Sequence, residues 1–251
     1  MTFISSDMEN NQAYESERLL GEYLLFHYGR PKDQFPWSDG PKEALDFPSR
    51  SVLDLVDTTV PIGSALDLGC AVGKSSFVLA KFVERVLGID YSKSFIEAAQ
   101  TILKNGKLNY QYLEEGCKLK DGTVEITNFP GHLVFERGDA CNLRVDLGSF
   151  DLVHAANLLC RLPDPKLLLN RFTQLVKPGG QLLLTTPFTW LEEFTPKKNW
   201  LDQGDSTSAL KFLLQDNFEL EYEKNLPLLI REHRRKFQYT VALGMRWRRR
   251  Q

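Results

Sequence analysis

The stretch Ala65-Leu-Asp-Leu-Gly-Cys-Ala-Val-Gly-Lys-Ser-Ser76 joins an apolar run to a helix-like run through two glycines. Gly69 and Gly73 stand four residues apart, just after the run that carries Asp67. Glycine at a strand-to-helix turn lets a ligand press against the backbone, because no Cβ is in the way. The next apolar run ends in Asp90, and an acid there can accept hydrogen bonds from both hydroxyls of a ribose. The stretch therefore predicts an α/β fold that binds a nucleoside-containing cofactor.

Spacing separates the kinds of glycine loop that this stretch could form. A phosphate-binding P-loop requires G-x-x-x-x-G-K-[ST], but Leu68 stands five residues before Gly73, where that motif has glycine. A dinucleotide loop requires G-x-G-x-x-G, but counting from Gly69 places Ala71 and Lys74 at the later glycine positions. The pattern D-x-G-x-x-x-G, followed by an acid after the second strand, remains. A tight turn that binds nothing stays open as an alternative.

Composition is that of an ordinary globular protein. The chain has 251 residues, of which 42% are hydrophobic and 25% charged, enough for one large domain or a domain with a cap. The net charge of −2 gives no overall attraction to nucleic acid. No signal peptide is visible, and no apolar run approaches the roughly 20 residues that span a bilayer. The four cysteines form no C-x-x-C pair. We therefore expect a cytoplasmic protein without a zinc site or a membrane contact.

Strand-like and helix-like runs alternate from Ser64 onward. Strands are expected at 64–70, 85–90, 132–137, 150–155 and 181–186, and helices at 73–84, 92–104, 165–176 and about 206–215. Two long alternating runs at about 218–230 and 237–247 predict antiparallel strands. The alternation predicts a mostly parallel, doubly wound, Rossmann-like sheet, whose ligands bind outside the carboxyl ends of the strands.

Two segments stand outside this alternation. They predict a helix at 14–28, a short helix at 51–57, and hairpin strands at 111–113 and 123–126. We therefore divide the chain into an N-terminal helix and loop at 1–58, which we expect to cap the site, and a domain at 59–251. The domain carries an insertion at about 105–131.

Five motifs resemble those of class I S-adenosylmethionine-dependent methyltransferases. They are Asp67/Gly69/Gly73, Asp90, Gly138-Asp139-Ala140, Phe150-Asp151-Leu-Val153 and Lys177-Pro-Gly-Gly180. The family usually has a third glycine where this chain has Ala71. The resemblance implies S-adenosyl-L-methionine as the cofactor, with Asp90 on the ribose and Asp139 facing the adenine amino group. It also implies a reversed final strand, which the two terminal runs would supply.

The candidates for cofactor contact follow the predicted strands. They are Asp67, Gly69, Cys70, Ala71, Gly73, Asp90, Tyr91, Asp139, Ala140 and Asn157. Cys70 and Cys141 fall close to this edge, and we expect both to pack as small hydrophobic side chains.

A narrower resemblance lies in three segments outside the common motifs. The segments 14–29, 44–50 and 189–200 are similar to the mercaptohistidine N-methyltransferase family of ovothiol biosynthesis. That family occurs as the C-terminal part of a sulfoxide synthase fusion and as free-standing proteins. The resemblance implies methylation of the imidazole ring of 5-thiohistidine to give ovothiol A, and functional pairing with a sulfoxide synthase. A monomer and a homodimer both stay open.

Such a substrate would bring a carboxylate, an ammonium and a ring. A carboxylate favours a bidentate arginine, for which Arg50 is the first candidate and Arg231, in the expected terminal hairpin turn, the second. An ammonium or a ring N–H favours a carboxylate, such as Glu192 or Glu193 after the strand at 181–186. Further candidates for substrate contact are Asn157, Tyr14, His27 and Tyr28, with Trp190 and Trp200 as walls for the ring or as simple loop packing.

Other functions stay open. The substrate could be another small amine, imidazole or carboxylate metabolite, or the chain could be a cofactor-binding subunit without catalysis. The sequence after 150–155 lacks the Asn/Asp-Pro-Pro-Tyr/Phe motif of nucleobase N-methyltransferases, which counts against nucleic acid. The basic clusters at 231–236 and 246–250 are expected as a solvated turn and a charged tail. His154, inside a strand, is expected as a hydrogen-bonded core histidine.

Overall fold

The computed structural model describes residues 16–127, 131–201 and 204–251. The strands are β1 (Ser64–Leu68), β2 (Arg85–Asp90), β3 (Lys107–Glu115), β4 (Lys118–Glu125), β5 (His132–Arg137), β6 (Phe150–Ala156), β7 (Val176–Thr186), β8 (Phe218–His233) and β9 (Lys236–Arg249). The helices are α1 (Glu17–Tyr28), α2 (Pro31–Gln34), α3 (Phe47–Leu53), α4 (Lys74–Leu79), α5 (Lys93–Asn105), α6 (Pro165–Leu175) and α7 (Ser206–Leu214).

Seven strands form the central sheet in the order β5-β2-β1-β6-β7-β9-β8. The first five strands of that order run parallel, whereas β9 is antiparallel to both β7 and β8. The predicted Rossmann-like sheet with a reversed final strand is therefore confirmed. The strand order reverses between β1 and β6, the point at which sheets of this kind bind ligands.

The sheet is buried on both faces because its strands alternate their side chains between two cores. Along β1, Ala65 packs into one cluster with Leu152, whereas Leu66 packs into the other with Leu182. The first cluster also holds side chains of α1, α3, α4 and α5, and the second holds side chains of α6 and α7. In the described part of the chain no helix is long and apolar enough to cross a membrane.

Several boundaries differ from the predicted ones. Helix α1 begins at Glu17, because the Ser16 hydroxyl accepts a hydrogen bond from the Leu19 N–H at 3.2 Å and caps it. The helix expected at 51–57 lies instead at 47–53, following Asp46 in the left-handed conformation. The helix expected at 73–84 ends at Leu79, and turns complete the segment. Tyr14 lies outside the described residues.

The insertion forms a separate two-stranded sheet, β3–β4, which is longer than the predicted hairpin strands. Both terminal strands are also longer than expected. Thr186, the last residue of β7, pairs with Leu243, which pairs with Asn225. Residues 226–242 therefore extend past the carboxyl end of β7 as a two-stranded segment, which we call the arm. Helix α1 packs against both β3 and the arm strand β8.

Candidate functional site

The loop after β1 contains three residues with positive φ at the carboxyl edge of the sheet. The φ angles are 69° at Gly69, 47° at Ala71 and 89° at Gly73. A Cβ on Gly73 would lie 2.5 Å from Cζ of Phe135, so only glycine fits there. Ala71 keeps the same left-handed backbone despite its Cβ, at a cost of about 1–2 kcal/mol. The backbone of this loop is therefore shaped by glycines where a ligand can approach closely.

Asp90 holds this loop from the end of β2. Its Oδ2 accepts a hydrogen bond from the Ala71 N–H at 2.8 Å, and its Oδ1 accepts one from the Ser92 N–H at 2.9 Å. Burial raises the pKa of Asp90 to about 6, although these backbone donors oppose the rise. Each carboxylate oxygen keeps a further lone pair. The geometry therefore fits the predicted role of Asp90 in accepting hydrogen bonds from a ribose.

Asp67, by contrast, is directed into the protein and is 1% exposed. Its Oδ2 accepts hydrogen bonds from the Ser75 and Ser76 hydroxyls at 2.7 and 2.6 Å. Its Oδ1 lies 2.7 Å from Nδ1 of His154, whose Nε2 lies 3.1 Å from the Ser51 hydroxyl. His154 is therefore the hydrogen-bonded core histidine that was expected. Asp67 was predicted to contact the cofactor, but its carboxylate shapes the loop and presents no charge at the surface.

The ends of β2 and β5 carry further predicted cofactor residues. The Tyr91 ring is 46% exposed and has the Arg137 guanidinium 5.5 Å from its centroid. Asp139 is half-buried, and its Oδ1 accepts a hydrogen bond from the Cys141 N–H at 2.8 Å. Ala140 beside it is also half-buried and packs against the second core. Polar and aromatic groups therefore line the edge next to Asp90, where the adenosine was expected.

Two cysteines flank the same edge. Cys70 is 1% exposed, and burial raises the pKa of its thiol well above the ordinary value. Cys141 is half-buried, with Sγ 3.5 Å from the Asp164 carbonyl oxygen, and burial raises the pKa of its thiol as well. Both pack as small neutral side chains.

Asn157 follows β6 with a φ of 53°, a strained conformation for a residue with a side chain. Its N–H donates to the Thr185 carbonyl at 2.8 Å, and its Oδ1 accepts from the Thr185 hydroxyl at 2.9 Å. Asn157 is therefore fixed between the ends of β6 and β7, with its amide NH₂ still available as a donor.

Helix α1 reaches the glycine loop through its last turn. The Tyr28 hydroxyl donates to the Val72 carbonyl at 2.8 Å, and the Lys74 ammonium lies 5.4 Å from the Tyr28 ring centroid. His27 is 7% exposed, and burial lowers its pKa to about 3, so the ring is neutral. Its Nδ1 is buried and meets no hydrogen-bond partner among the described residues. The N-terminal helix thus brings a neutral imidazole and a phenol to the edge of the loop.

Arg50 lies beside this edge on α3. Its Nε donates to the Leu45 carbonyl at 3.0 Å, and its Nη2 donates to the Pro227 carbonyl. Pro227 belongs to the arm, so Arg50 lies past the carboxyl end of β7. In residues 16–127, 131–201 and 204–251, no carboxylate oxygen lies within 4 Å of the Arg50 guanidinium nitrogens. Arg50 is therefore positioned by backbone carbonyls and carries a charge that no acidic side chain neutralises.

Arg231, the second arginine candidate, has a different environment from the predicted one. It lies within β8 and not in a turn, and it is 3% exposed. Its Nη2 lies 2.5 Å from Oε2 of Glu114, its Nη1 donates to the Asp33 carbonyl at 2.5 Å, and it stacks on Tyr112. Arg231 therefore joins the hairpin to the arm and is not available for a substrate carboxylate.

The loop after β7 contains the remaining candidates. Glu192 and Glu193 are both exposed. The Trp190 Nε1–H donates to the Ser206 hydroxyl at 3.0 Å, and the Trp200 Nε1–H donates to the Thr195 carbonyl at 2.7 Å. The indole N–H of Trp190 is thus held by the first residue of α7, and that of Trp200 by the backbone of its own loop.

The basic clusters are mostly neutralised. In addition to Arg231, six of their side chains pair with carboxylates. The pairs are Arg234 with Glu114, Arg235 with Glu115, Lys236 with Glu232, Arg246 with Glu221, Arg248 with Glu221 and Asp57, and Arg250 with Glu219. The expected charged tail is wrong for 246–249, which belong to β9.

Sequence reasoning missed the side chains that support the loop. Ser75 and Ser76 follow Gly73 after Lys74, and their hydroxyls could have been proposed as hydrogen-bond donors to Asp67. Ser51 lies 103 residues before His154 along the chain, and no local pattern links the two. Among the described residues, no group of three His, Cys, Asp or Glu side chains could hold a metal ion.

Comparison with known sequences agrees with this geometry. Residues 66–184 match the model of a family described as a methyltransferase domain. The ubiquinone biosynthesis O-methyltransferase of Coxiella burnetii is 31% identical over 121 residues, which cover 48% of this chain and 42% of that protein. The corresponding protein of Xanthomonas oryzae pv. oryzae is 26% identical over 151 residues, which cover 59% of this chain and 54% of that protein. The chain thus spans about half the length of these curated relatives.

Solved structures share the fold at low identity. A SAM-dependent methyltransferase from Methanosarcina mazei is 21% identical with a TM-score of 0.53, over 78% of this chain and 99% of that one. The N-methyltransferase NodS from Bradyrhizobium japonicum, in complex with S-adenosyl-L-homocysteine, is 16% identical with a TM-score of 0.53. That match covers 92% of this chain and 99% of NodS.

Proposed function

We propose that the whole chain methylates the imidazole ring of 5-thiohistidine to give ovothiol A, with residues 66–184, which match a methyltransferase domain, as its S-adenosylmethionine-dependent part. The relatives with curated names match only 48% and 59% of this chain, so they bear on the cofactor more than on the substrate. The proposed substrate rests on the segments outside that domain.

The observation that carries the proposal is the uncompensated charge of Arg50. Its Nε and Nη2 donate to the carbonyls of Leu45 and Pro227, which leave donors on the same guanidinium for another acceptor. A guanidinium matches a carboxylate through two parallel hydrogen bonds. The carboxylate of an amino-acid substrate would supply the missing negative charge at the carboxyl edge of the sheet.

The cofactor end of the site supports the same reaction. Asp90 would hold the ribose, the Asp139 region the adenine, and the loop from Gly69 to Gly73 the methionine part. S-adenosylmethionine supplies a methyl group on a sulfonium, which is already a good leaving group. The protein mainly has to align the accepting nitrogen, and alignment alone can contribute about 7–11 kcal/mol in favourable systems.

Selectivity is the harder task, because the thiolate of the substrate is a stronger nucleophile than its ring nitrogen. The site must therefore fix the ring so that the sulfur lies away from the methyl group. A neutral imidazole nitrogen carries its own lone pair, so no strong base is required. His27 suits such a site, since its neutral ring can share a hydrogen bond with the substrate without holding a charge.

The direct test is to incubate the purified chain with S-adenosylmethionine and 5-thiohistidine, and to follow the mass of the product. We expect a gain of one methyl group, placed on the ring nitrogen by NMR, and no product from an Asp90→Asn control. Histidine and other imidazoles, amines and carboxylates form the comparison panel. Cofactor binding by calorimetry without methylation of thiohistidine would refute the proposed substrate. Binding without methylation of any acceptor would favour a cofactor-binding subunit.

A second candidate is methyl transfer to oxygen. It is favoured by the name of the Coxiella burnetii and Xanthomonas relatives, which are ubiquinone biosynthesis O-methyltransferases. Adding a small phenolic acceptor to the panel distinguishes methyl transfer to oxygen from methyl transfer to the imidazole nitrogen. Methylation of the phenol, with thiohistidine unchanged, would favour this candidate.

A further inference from the structure

The loop after β6 brings an arginine close to the cofactor loop. A Cβ on Gly69 would lie 3.0 Å from Cδ1 of Leu158, so the start of the loop after β6 contacts the glycine motif. The Arg161 N–H donates to the Leu158 carbonyl at 2.8 Å and closes a single helical turn. Arg161 therefore lies one turn away from the segment expected to hold the methionine part of the cofactor, where the methyl acceptor must also bind.

The Arg161 guanidinium is fixed through one of its nitrogens. Its Nη1 donates to the carbonyls of Cys160 and Thr189 at 3.1 and 3.2 Å, and lies 3.7 Å from the Cys160 sulfur. Its Cζ lies 4.9 Å from the centroid of the Phe194 ring. Nε and Nη2, which form the side-on edge of the guanidinium, meet no hydrogen-bond partner within the described ranges. Two parallel donors on that edge therefore remain for a ligand.

The charge of Arg161 is not compensated. In the part of the chain that the structure describes, no carboxylate oxygen lies within 4 Å of its nitrogens. Burial raises the pKa of the Cys160 thiol, although the charge of Arg161 opposes the rise, so the neighbouring sulfur is neutral. The other basic side chains of the loops after β6 and β7, Lys197 and Lys198, are exposed, whereas Arg161 is half-buried. Arg161 thus favours an anionic ligand on the acceptor side of the site.

We infer that Arg161 binds the anionic sulfur of the acceptor and thereby directs methylation to the ring nitrogen. The inference rests on the proposed substrate, which brings two anions, a carboxylate and a thiolate. Arg50, held by the arm, is proposed for the carboxylate, and Arg161, between the loops after β6 and β7, supplies a second cation for the thiolate. A sulfur that accepts hydrogen bonds from Nε and Nη2 is held in place, and its lone pairs are engaged.

The transfer balances without a base. The lone pair of the ring nitrogen forms the bond to the methyl carbon as the bond from that carbon to the cofactor sulfur breaks. The electron pair of the broken bond stays on that sulfur, which gives the neutral thioether of S-adenosylhomocysteine. The methylated ring gains the positive charge, while Arg161 holds the substrate thiolate away from the methyl group.

Product analysis tests the direction of transfer. Arg161→Gln should raise the share of S-methylated thiohistidine about tenfold above wild type, because a charge-assisted contact to the sulfur is lost. Arg161→Lys keeps the charge without the side-on edge, so its share should lie between the two, and it serves alone if the glutamine variant does not fold. Arg85→Gln is the matched control, since it removes an exposed arginine from the start of β2, at the opposite edge of the sheet. It should match wild type.

Calorimetry gives a readout that does not depend on turnover. With S-adenosylhomocysteine bound, Arg161→Gln should raise the dissociation constant of 5-thiohistidine about tenfold or more. The constant for histidine, which lacks the sulfur, should stay within about twofold of wild type, as should that for S-adenosylhomocysteine itself. An unchanged melting temperature would show that the variant keeps its fold.

Two results would overturn the role of Arg161. Equal losses of histidine and thiohistidine binding in Arg161→Gln would assign this arginine to the carboxylate. Unchanged thiohistidine affinity with an unchanged product ratio would exclude contact with the substrate. In both cases wild type still methylates thiohistidine. A wild-type protein that binds S-adenosylhomocysteine, but neither binds nor methylates thiohistidine, would instead refute the proposed substrate and this inference with it.

Discussion

The carboxyl group of Asp90 should give cofactor binding its pH dependence. Burial raises its pKa from the ordinary 3.8 to about 6. The neutral form predominates in the free protein below that pH, whereas two ribose hydroxyls require an ionised acceptor. The dissociation constant of S-adenosylhomocysteine should therefore rise about tenfold for each pH unit below 6, and level off above 7.

Calorimetry between pH 5 and 8 tests this, with Asp90→Asn as the control. The variant should bind weakly and without a pH-dependent step between 5 and 7. A wild-type affinity that does not change over that range would contradict the assignment of Asp90 to the ribose.

Ala71 and Gly73 are predicted to respond oppositely to exchange of alanine and glycine. Ala71→Gly removes the strain of an alanine in the left-handed conformation, which stabilises the fold by about 1–2 kcal/mol. The glycine also raises the backbone entropy of the unfolded chain, which destabilises the fold by about 0.5–1 kcal/mol. Its unfolding free energy should be unchanged or about 1 kcal/mol higher. Gly73→Ala adds both strain and a clash with Phe135, so it should lose about 2–4 kcal/mol. Urea unfolding of the two variants compares them directly, and equal losses would refute the argument.

Arg50 should affect the substrate without affecting the cofactor. Arg50→Lys keeps the charge but loses the planar fork that contacts Leu45, Pro227 and the proposed carboxylate together. We expect the KM for the amino-acid substrate to rise about tenfold or more, with S-adenosylhomocysteine binding within about twofold of wild type. Arg235→Lys, at an exposed position in the arm turn, is the control. An unchanged KM would exclude Arg50 as the carboxylate partner.

Ion pairs hold the hairpin β3–β4 to the arm, and the most buried of those described is between Glu114 and Arg231. Removing the carboxylate in Glu114→Gln leaves the Arg231 guanidinium buried without a counter-charge, which should cost about 3–5 kcal/mol of unfolding free energy. Glu115→Gln is the matched control, because Glu115 and Arg235 are both more than half exposed. That exchange should cost less than about 1 kcal/mol. Similar losses in urea unfolding would show that the pair does not hold the hairpin.

The same pair adds a dependence on acid. Burial acts to raise the pKa of Glu114, but the hydrogen bond from Arg231 and the positive charges of Arg231, Lys120 and Arg234 together outweigh it and leave the pKa below the ordinary 4.5. The stability that the ionised group contributes is present above that value and is lost as the pH falls through the lowered pKa. The difference between wild type and Glu114→Gln should therefore shrink as the pH falls below the ordinary value of 4.5 and through the lowered pKa.

Strands and helices that obey a local period could be predicted, and those set by distant partners could not. The runs at 85–90 and 132–137 matched β2 and β5, because the apolar residues of a strand show themselves within its own sequence: β5, at the sheet edge, alternates buried Leu133 and Phe135 with exposed Val134. The extent of β8 and β9 was underestimated. The outer half of β8 lies beyond the carboxyl end of β7 and contacts α1 and the hairpin, which local alternation does not reveal. Arg231 was predicted in a turn because its partner Glu114 lies 117 positions away, where no local pattern points to it.

Three segments that are far apart in the sequence pack against the same core as the sheet. Leu24 of α1, Tyr112 of the hairpin and Leu228 of the arm belong to the same core cluster as Ala65 of β1. These segments and the sheet therefore share one hydrophobic core, through which a change in the loop affects the packing of helix α1. Glycine spacing predicted the loop, but long-range packing determined which side chains surround it. The neutral His27 and the fixed Arg50 lie there for that reason.

Tyr28 joins helix α1 directly to the cofactor loop. Its buried hydroxyl donates to the Val72 carbonyl at 2.8 Å, and burial raises the pKa of the phenol well above its ordinary value, so the donor persists at neutral pH. Binding of S-adenosylhomocysteine at the loop should therefore slow amide exchange in residues 17–28 as well as in 69–73. Tyr28→Phe leaves the Val72 carbonyl without this donor, which should cost about 1–3 kcal/mol. It should also abolish the added protection of α1 while keeping that of the loop. Tyr239→Phe, at an exposed position of the arm, should change neither. Full protection of α1 in the Tyr28 variant would mean that the coupling runs through the shared core and not through this hydrogen bond.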